Sequence, residues 1–134
     1  MIKYVCDGSS FEGKMGAGVV RIGKGKTEKY HFSHTQIGRK NVHELFAISC
    51  TLDIIESFQD YEVTIYNDDA LIVQQLKDPS SLKQRSMKRL DGILERLKTL
   101  ENKGYRISFV YAKELVHDGY LKTAHHLSRY YLEK

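Results

Sequence analysis

Three acidic residues fall where a folded chain can use them for chemistry. Asp7 closes an apolar, β-rich run from Ile2 to Cys6, Glu44 stands in the first turn of a stretch with helical periodicity, and Asp68 follows a second β-rich run, Glu62 to Tyr66. In sheets flanked by helices, ligand sites gather at the carboxyl ends of strands. If the first and fourth strands are neighbours, Asp7 and Asp68 point into one crevice and Glu44 reaches it from the helix above. Three carboxylates brought together repel one another, and burying them without a counter-charge is costly. A divalent cation relieves both penalties, and hard oxygen donors suit Mg2+ or Mn2+. Two such ions about 3.5–4 Å apart can activate a water and stabilise the leaving oxygen of a phosphodiester. Each acid also has an ordinary explanation. Asp7 in Asp-Gly-Ser suits a turn, Glu44 a solvated helix position or a capping box, and Asp68 or Asp69 a helix N-cap.

The elements that must position these residues are legible as changes of hydrophobic period. Asp7-Gly8-Ser9-Ser10 reads as a turn after the first strand. Gly16 to Gly23 and Thr27 to His34 read as two further strands, joined by a hairpin at Lys24-Gly25-Lys26. From Asn41 the apolar residues Val42, Leu45, Ile48, Leu52 and Ile55 recur at helical spacing. Asp68-Asp69 precedes a second helix carrying Ala70, Leu71, Val73 and Leu76, and Pro79 with Ser80-Ser81 breaks the chain. A longer amphipathic helix follows, with Leu90, Ile93, Leu94, Leu97 and Leu100 on one side and an end near Gly104. Tyr105 to Ala112 is the last strand, and a helix from about Leu121 turns Ala124, Leu127 and Tyr131 inward. Strands joined by short turns are antiparallel neighbours, and strands joined through helices are parallel. The expected class is α/β: a five-stranded mixed sheet, three antiparallel strands then two parallel ones, flanked by helices.

Composition narrows the functional classes. The chain has 134 residues, 21 Lys and Arg against 17 Asp and Glu, and a net charge of +4, which permits a polyanionic partner without demanding one. With one proline and no low-complexity linker, a single domain over residues 1–134 is expected. Cys6 and Cys50 are too few for a disulfide scaffold and match no zinc spacing. No apolar run reaches the roughly 18 residues of a membrane span, and MIKYVCDGSS lacks a signal-peptide layout. A cytoplasmic protein with no membrane partner is the expectation.

The segments YVCDGSS, GAGVV, NVHELFAISCTLDII, VTIYNDDALIV and AHHLSRYYL, in that order, resemble the type 1 ribonuclease H family over nearly the whole chain. The resemblance implies the ribonuclease H-like fold and cleavage of the RNA strand of RNA–DNA hybrids. It implies two Mg2+ or Mn2+ ions, no small-molecule cofactor, and products with a 3′-hydroxyl and a 5′-phosphate. It places the catalytic, metal-holding acids at Asp7, Glu44 and Asp68. The family's fourth carboxylate falls on His125, an imidazole that suits Mn2+ better than Mg2+ or can shuttle a proton. The family's Gly-His loop falls on Leu115, with His117 or Asp118 nearby as substitutes. For substrate binding the resemblance points to Gly8 and Ser9, and to Asn41, which equally suits a helix N-cap. Lys40 beside Arg39, and Arg85 within the cluster Lys83, Arg85, Lys88 and Arg89, suit phosphate contacts or a solvated face. Only one helix fits between Pro79 and Gly104, so the basic protrusion of some family members is expected to be missing. Hybrid recognition by 2′-hydroxyls and groove shape implies low sequence specificity.

Two other readings compete. His125 and the lost Gly-His loop favour a catalytically impaired ribonuclease H-like module that binds nucleic acid or a protein partner. A 3′–5′ exonuclease on a related fold is disfavoured, because its usual Asp-x-Glu would fall here on Asp7 and Ser9. Tyr30, Tyr111, Tyr130 and Tyr131 are expected to pack rather than to form a stacking platform, and the sequence leaves the oligomeric state open.

Overall fold

A computed structural model describes residues 1–35, 42–78, 88–112 and 118–130. Its strands are β1 (Ile2–Phe11), β2 (Lys14–Gly23), β3 (Lys26–Thr35), β4 (Glu62–Asn67) and β5 (Arg106–Tyr111). Its helices are α1 (Val42–Phe58), α2 (Ala70–Lys77), α3 (Lys88–Asn102) and α4 (Asp118–Ser128). The sheet order is β3-β2-β1-β4-β5. The first three strands are antiparallel, and β4 and β5 are added in parallel. This is the mixed sheet that the turn and helix spacing predicts.

One local expectation is corrected. Asp7-Gly8-Ser9-Ser10 is not a turn, because β1 continues to Phe11 and pairs Gly8, Ser9 and Ser10 with Ala17, Gly16 and Met15 of β2. The turn lies at Glu12-Gly13, both with positive φ (47° and 77°), as a two-residue hairpin connection between Phe11 and Lys14 requires. A local turn preference has lost to a full antiparallel ladder. The parallel ladder with β4 stops earlier, at the pair Cys6–Asn67. Asp7 therefore sits where β1 has left one neighbour and still holds the other.

Both faces of the sheet are covered, and the two-residue period of each strand divides the core. Tyr4 and Cys6 of β1 pack with Leu45, Ile48, Leu52 and Ile55 of α1 and with Leu90, Ile93 and Leu100 of α3. Val5 of β1 and Val20 of β2 pack on the other face with Ala124 and Leu127 of α4. Fully burying one such aliphatic side chain stabilises by about 1.5–3 kcal/mol. The expected inward residues of α1 are all buried, whereas Leu94 and Leu97 of α3 are only partly so and Leu71 of α2 is exposed. Arg96 of α3 ties to Asp53 (2.7 Å) and Glu56 (2.7 Å) of α1. Two glycines let the helices close onto the strands. A Cβ at Gly8 would overlap the carbonyl oxygen of His43 in α1, and one at Gly18 the carbonyl oxygen of Ala124 in α4. Among the described residues no helix is long and apolar enough to cross a membrane.

At the end of the sheet remote from Asp7, a polar network closes the core. The Tyr4 hydroxyl donates to Asp60 Oδ2 (2.5 Å). Arg21 donates to both Asp60 oxygens (2.9 Å each) and to Glu28 Oε1 (2.7 Å). The guanidinium lies over the Phe58 ring, 4.0 Å from its centroid. Burial alone would raise the Asp60 carboxyl, but the bonds from Arg21 and Tyr4 outweigh it and hold the group below its ordinary range. A carboxylate depressed on folding contributes stability above its unfolded pKa and loses that contribution as pH falls. Arg21→Met is expected to lower the unfolding free energy at pH 7 by about 2 kcal/mol, since it leaves a partly buried carboxylate without its cation. Urea unfolding at pH 7 and pH 3 checks this: the variant should lose less on acidification than the parent.

Candidate active site

Three elements deliver the acids to one place. Asp7 comes from the stretch of β1 that has just parted from β4. Glu44 comes from the first turn of α1, drawn onto β1 by the bare backbone of Gly8. The Gly8 amide donates to Glu44 Oε1 at 2.6 Å and fixes that side chain. Asp68 occupies the bend after β4. The N-cap of α2 is Asp69, whose Oδ1 accepts from the Ile72 amide at 3.0 Å. Capping therefore explains Asp69 and leaves Asp68 to the cluster.

One carboxylate oxygen from each of Asp7, Glu44 and Asp68 lies within 4.8 Å of the other two. Asp7 is 3% exposed and Glu44 6%. Burial, then Asp68, raises the Asp7 carboxyl, while His125 pulls it back. Burial, then Asp7 and Asp68, raises Glu44 further, against the opposing bond from Gly8. Both shifts run opposite to that of Asp60.

His125 of α4 completes the rim. Its Nδ1 stands 2.6 Å from Asp7 Oδ2, donating when the carboxylate is ionised, and its side chain remains 57% exposed. Its neighbour His126 instead sets its ring against Tyr130, with centroids 5.3 Å apart. Gly18 pairs with Asp7 in the ladder, and its missing side chain is what brings α4 close enough for this contact. Ser9 Oγ donates to the Ser128 carbonyl (2.7 Å), and Ser128 Oγ to the His125 carbonyl (2.6 Å), tying α4 to β1.

The remaining expected residues divide between occupied and undescribed. The Gly8 amide and the Ser9 hydroxyl, expected near substrate, are engaged within the protein as above. Arg39, Lys40, Asn41, Lys83, Arg85, Leu115, His117 and Tyr131 lie outside the described residues, as do the side chains of Lys88, Arg89 and Asp118. Helix α4 starts at Asp118, before the expected Leu121. Tyr30 and Tyr130 pack against the two cores, as expected. Cys6 and Cys50 are free and buried, and burial pushes each thiol up to about 12, so neither offers a thiolate. The sequence did not single out Asn67, the last residue of β4, which is fully buried. Its signal was an Asn-Asp-Asp run at a strand end, a favoured side-chain turn.

The donor set suits a hard cation. Three oxygen donors crowd together, two of them raised first by burial and then by repulsion from their neighbours, and a divalent ion would relieve both.

No protein-family model and no curated protein matches the chain. Solved structures do. RNase H1 from the halophilic archaeon Halobacterium salinarum superposes with a TM-score of 0.77 at 18% identity, covering 98% of this chain and 97% of that one. LC11-RNase H1, solved with an RNA/DNA hybrid, gives 0.70 at 21% identity over 98% and 99%. The N-terminal RNase H domain of rv2228c from Mycobacterium tuberculosis gives 0.66 at 18% over 96% and 95%. Sheet order, helix placement and these superpositions together establish that the chain has the ribonuclease H-like fold seen in type 1 RNase H structures.

Proposed function

We propose that the protein is a metal-dependent endonuclease that hydrolyses the RNA strand of RNA–DNA hybrids. The observation that carries this reading is the convergence of Asp7, Glu44 and Asp68 from three separate elements. A surface evolved only for packing or binding gains nothing from three crowded carboxylates beside a polyanion. Asp7, Glu44 and Asp68 would hold two Mg2+ or Mn2+ ions, with His125 as a fourth donor. Bound there, the ions supply Lewis acidity and charge neutralisation at the phosphodiester. The chain's own contribution is orientation. The Gly8 amide holds Glu44 Oε1, and the Ser9–Ser128 bond holds the helix that presents His125. Lys40, Asn41 and Arg85 are the proposed outer contacts to the hybrid, together with the backbone around Gly8 and Ser9. A hybrid-bound neighbour of the same fold supports this substrate class.

The His125–Asp7 contact supports a second reading, a module that binds hybrid without cutting it, because an imidazole stands beside Asp7 where the family resemblance leads one to expect an acidic donor. Incubation with a labelled hybrid in Mg2+ and separately in Mn2+ distinguishes the two. Cleavage is expected, faster in Mn2+. Asp7→Asn should slow it roughly 100-fold or more, since several kcal/mol of charge stabilisation are at stake. Tight binding without cleavage in either metal would instead establish the binding module.

Substituting Glu44→Gln keeps the acceptor for the Gly8 amide and removes one of three like charges. The wild-type carboxyl is raised on folding, so it favours the folded state at low pH and loses that benefit as pH rises through the raised value. Glu44→Gln is therefore expected to melt a few degrees higher than the parent at pH 8 without divalent ions. It should also lose most of the stabilisation that added Mn2+ gives the parent. Scanning calorimetry with and without MnCl2 reads both effects.

His125→Asp restores an all-carboxylate site. It should raise Mg2+-supported cleavage by about tenfold and narrow the Mn2+ preference. An unchanged or reduced rate in Mg2+ would remove His125 from the donor set.

A further inference from the structure

We infer that Asn67 is a positioning residue that sets the spacing of Asp7 and Asp68, by binding the two peptide groups that carry them. This rests on the reading of the acids as an ion site. Asn67 is 0% exposed. Its Nδ2 donates to the Cys6 carbonyl at 3.2 Å, the carbonyl of the peptide bond that leads into Asp7. Its Oδ1 accepts from the Asp69 amide at 2.8 Å, the amide of the peptide bond that leaves Asp68. One side chain therefore touches the backbone immediately before one aspartate and immediately after the other.

The location gives the bracket its effect. Cys6 and Asn67 form the last pair of the parallel ladder, so beyond it no register pairing ties β1 to β4. Asp7 and Asp68 both lie in that gap, where their charges push them apart. The Asn67 amide adds a further link on the open side of the ladder. Asparagine suits the task because one short planar group carries both a donor and an acceptor. Aspartate would lose the donor and add a fourth charge. Leucine would fill the space and make neither bond. Serine could still accept from the Asp69 amide in a side-chain turn, but it is too short to reach the Cys6 carbonyl.

A purely structural role and a positioning role make different predictions. Satisfying a buried polar corner accounts for a loss of stability when Asn67 is replaced. Positioning adds a loss of ion affinity in protein that remains folded, since groups that orient metal ligands typically contribute 10- to 100-fold in affinity. The test titrates the full-length chain with MnCl2 by calorimetry, without substrate, for the parent, Asn67→Leu, Asn67→Ser and Asp7→Asn. Circular dichroism selects a temperature at which each is folded. Asn67→Leu is expected to bind Mn2+ roughly tenfold or more weakly, and Asn67→Ser, the milder change, to fall in between. On a labelled hybrid, kcat should drop while KM stays within twofold. Parent-like Mn2+ affinity in both Asn67 variants, with a lowered melting point, would reduce Asn67 to a structural group while the ion site stands. Equal failure of the parent and Asp7→Asn to take up Mn2+ would overturn the ion site, and this inference with it.

Discussion

Repulsion among the carboxylates of Asp7, Glu44 and Asp68 is the constraint that the surrounding structure must hold in check. Two of the three are buried, and one carboxylate oxygen from each of the three lies within 4.8 Å of the other two. Left to themselves such groups take up protons or separate. Here the separation is resisted by covalent and packed geometry. Asp7 is held in the β1–β2 ladder, Glu44 by the Gly8 amide on a helix seated against β1, and Asp68 between the strand end and the capped start of α2. The stability that opposes the repulsion comes from the apolar packing of α1 and α3 below the site.

His125 reaches this cluster through the same ladder that holds Asp7. Gly18 is the cross-strand partner of Asp7, and any side chain there would collide with α4. A bare backbone beside the acid and an imidazole above it are thus one feature of the packing. The Ser9–Ser128 bond then fixes the helix along its axis. The place of His125 is set by how closely α4 lies on the sheet, so a change in that packing would reach the acid cluster without touching an acid.

Sheet order, strand direction and the three-acid convergence were legible because they follow from long-range patterns. Helical spacing in α1 and strand runs near positions 2, 18, 30, 64 and 108 leave few topologies, and the acids stand at element ends. Local signals were less reliable. Asp-Gly-Ser carries turn residues, yet β2 offers those residues a continuous partner strand, and a paired ladder outweighs a local preference. Whether Asp68 or Asp69 caps α2 could not be settled from two identical side chains in sequence, because the choice depends on which one the strand leaves facing the Ile72 amide. Asn67 was invisible for another reason. Its bonds run to backbone groups, and one of them belongs to Cys6, 61 residues away.

Among the described residues, the ionisable clusters around Asp60 and around Asp7 differ in how their charges are met. Asp60 sits against Arg21 and Tyr4, every strong donor has an acceptor, and its carboxyl is held below the ordinary range. That is how folding treats a buried acid that serves stability: it supplies the counter-charge from within. At the opposite end of the same strands, Asp7 and Glu44 are raised. Among the described contacts, the Gly8 amide and the exposed imidazole of His125 are the donors that meet them. A chain with 21 lysines and arginines had cations to spare for that end. Among the described residues no lysine or arginine contributes to the shifts of these two acids, and under the proposed function their counter-charge would arrive from solution. A divalent ion would supply it in compact form and would let the proposed polyanionic substrate approach the cluster without repulsion.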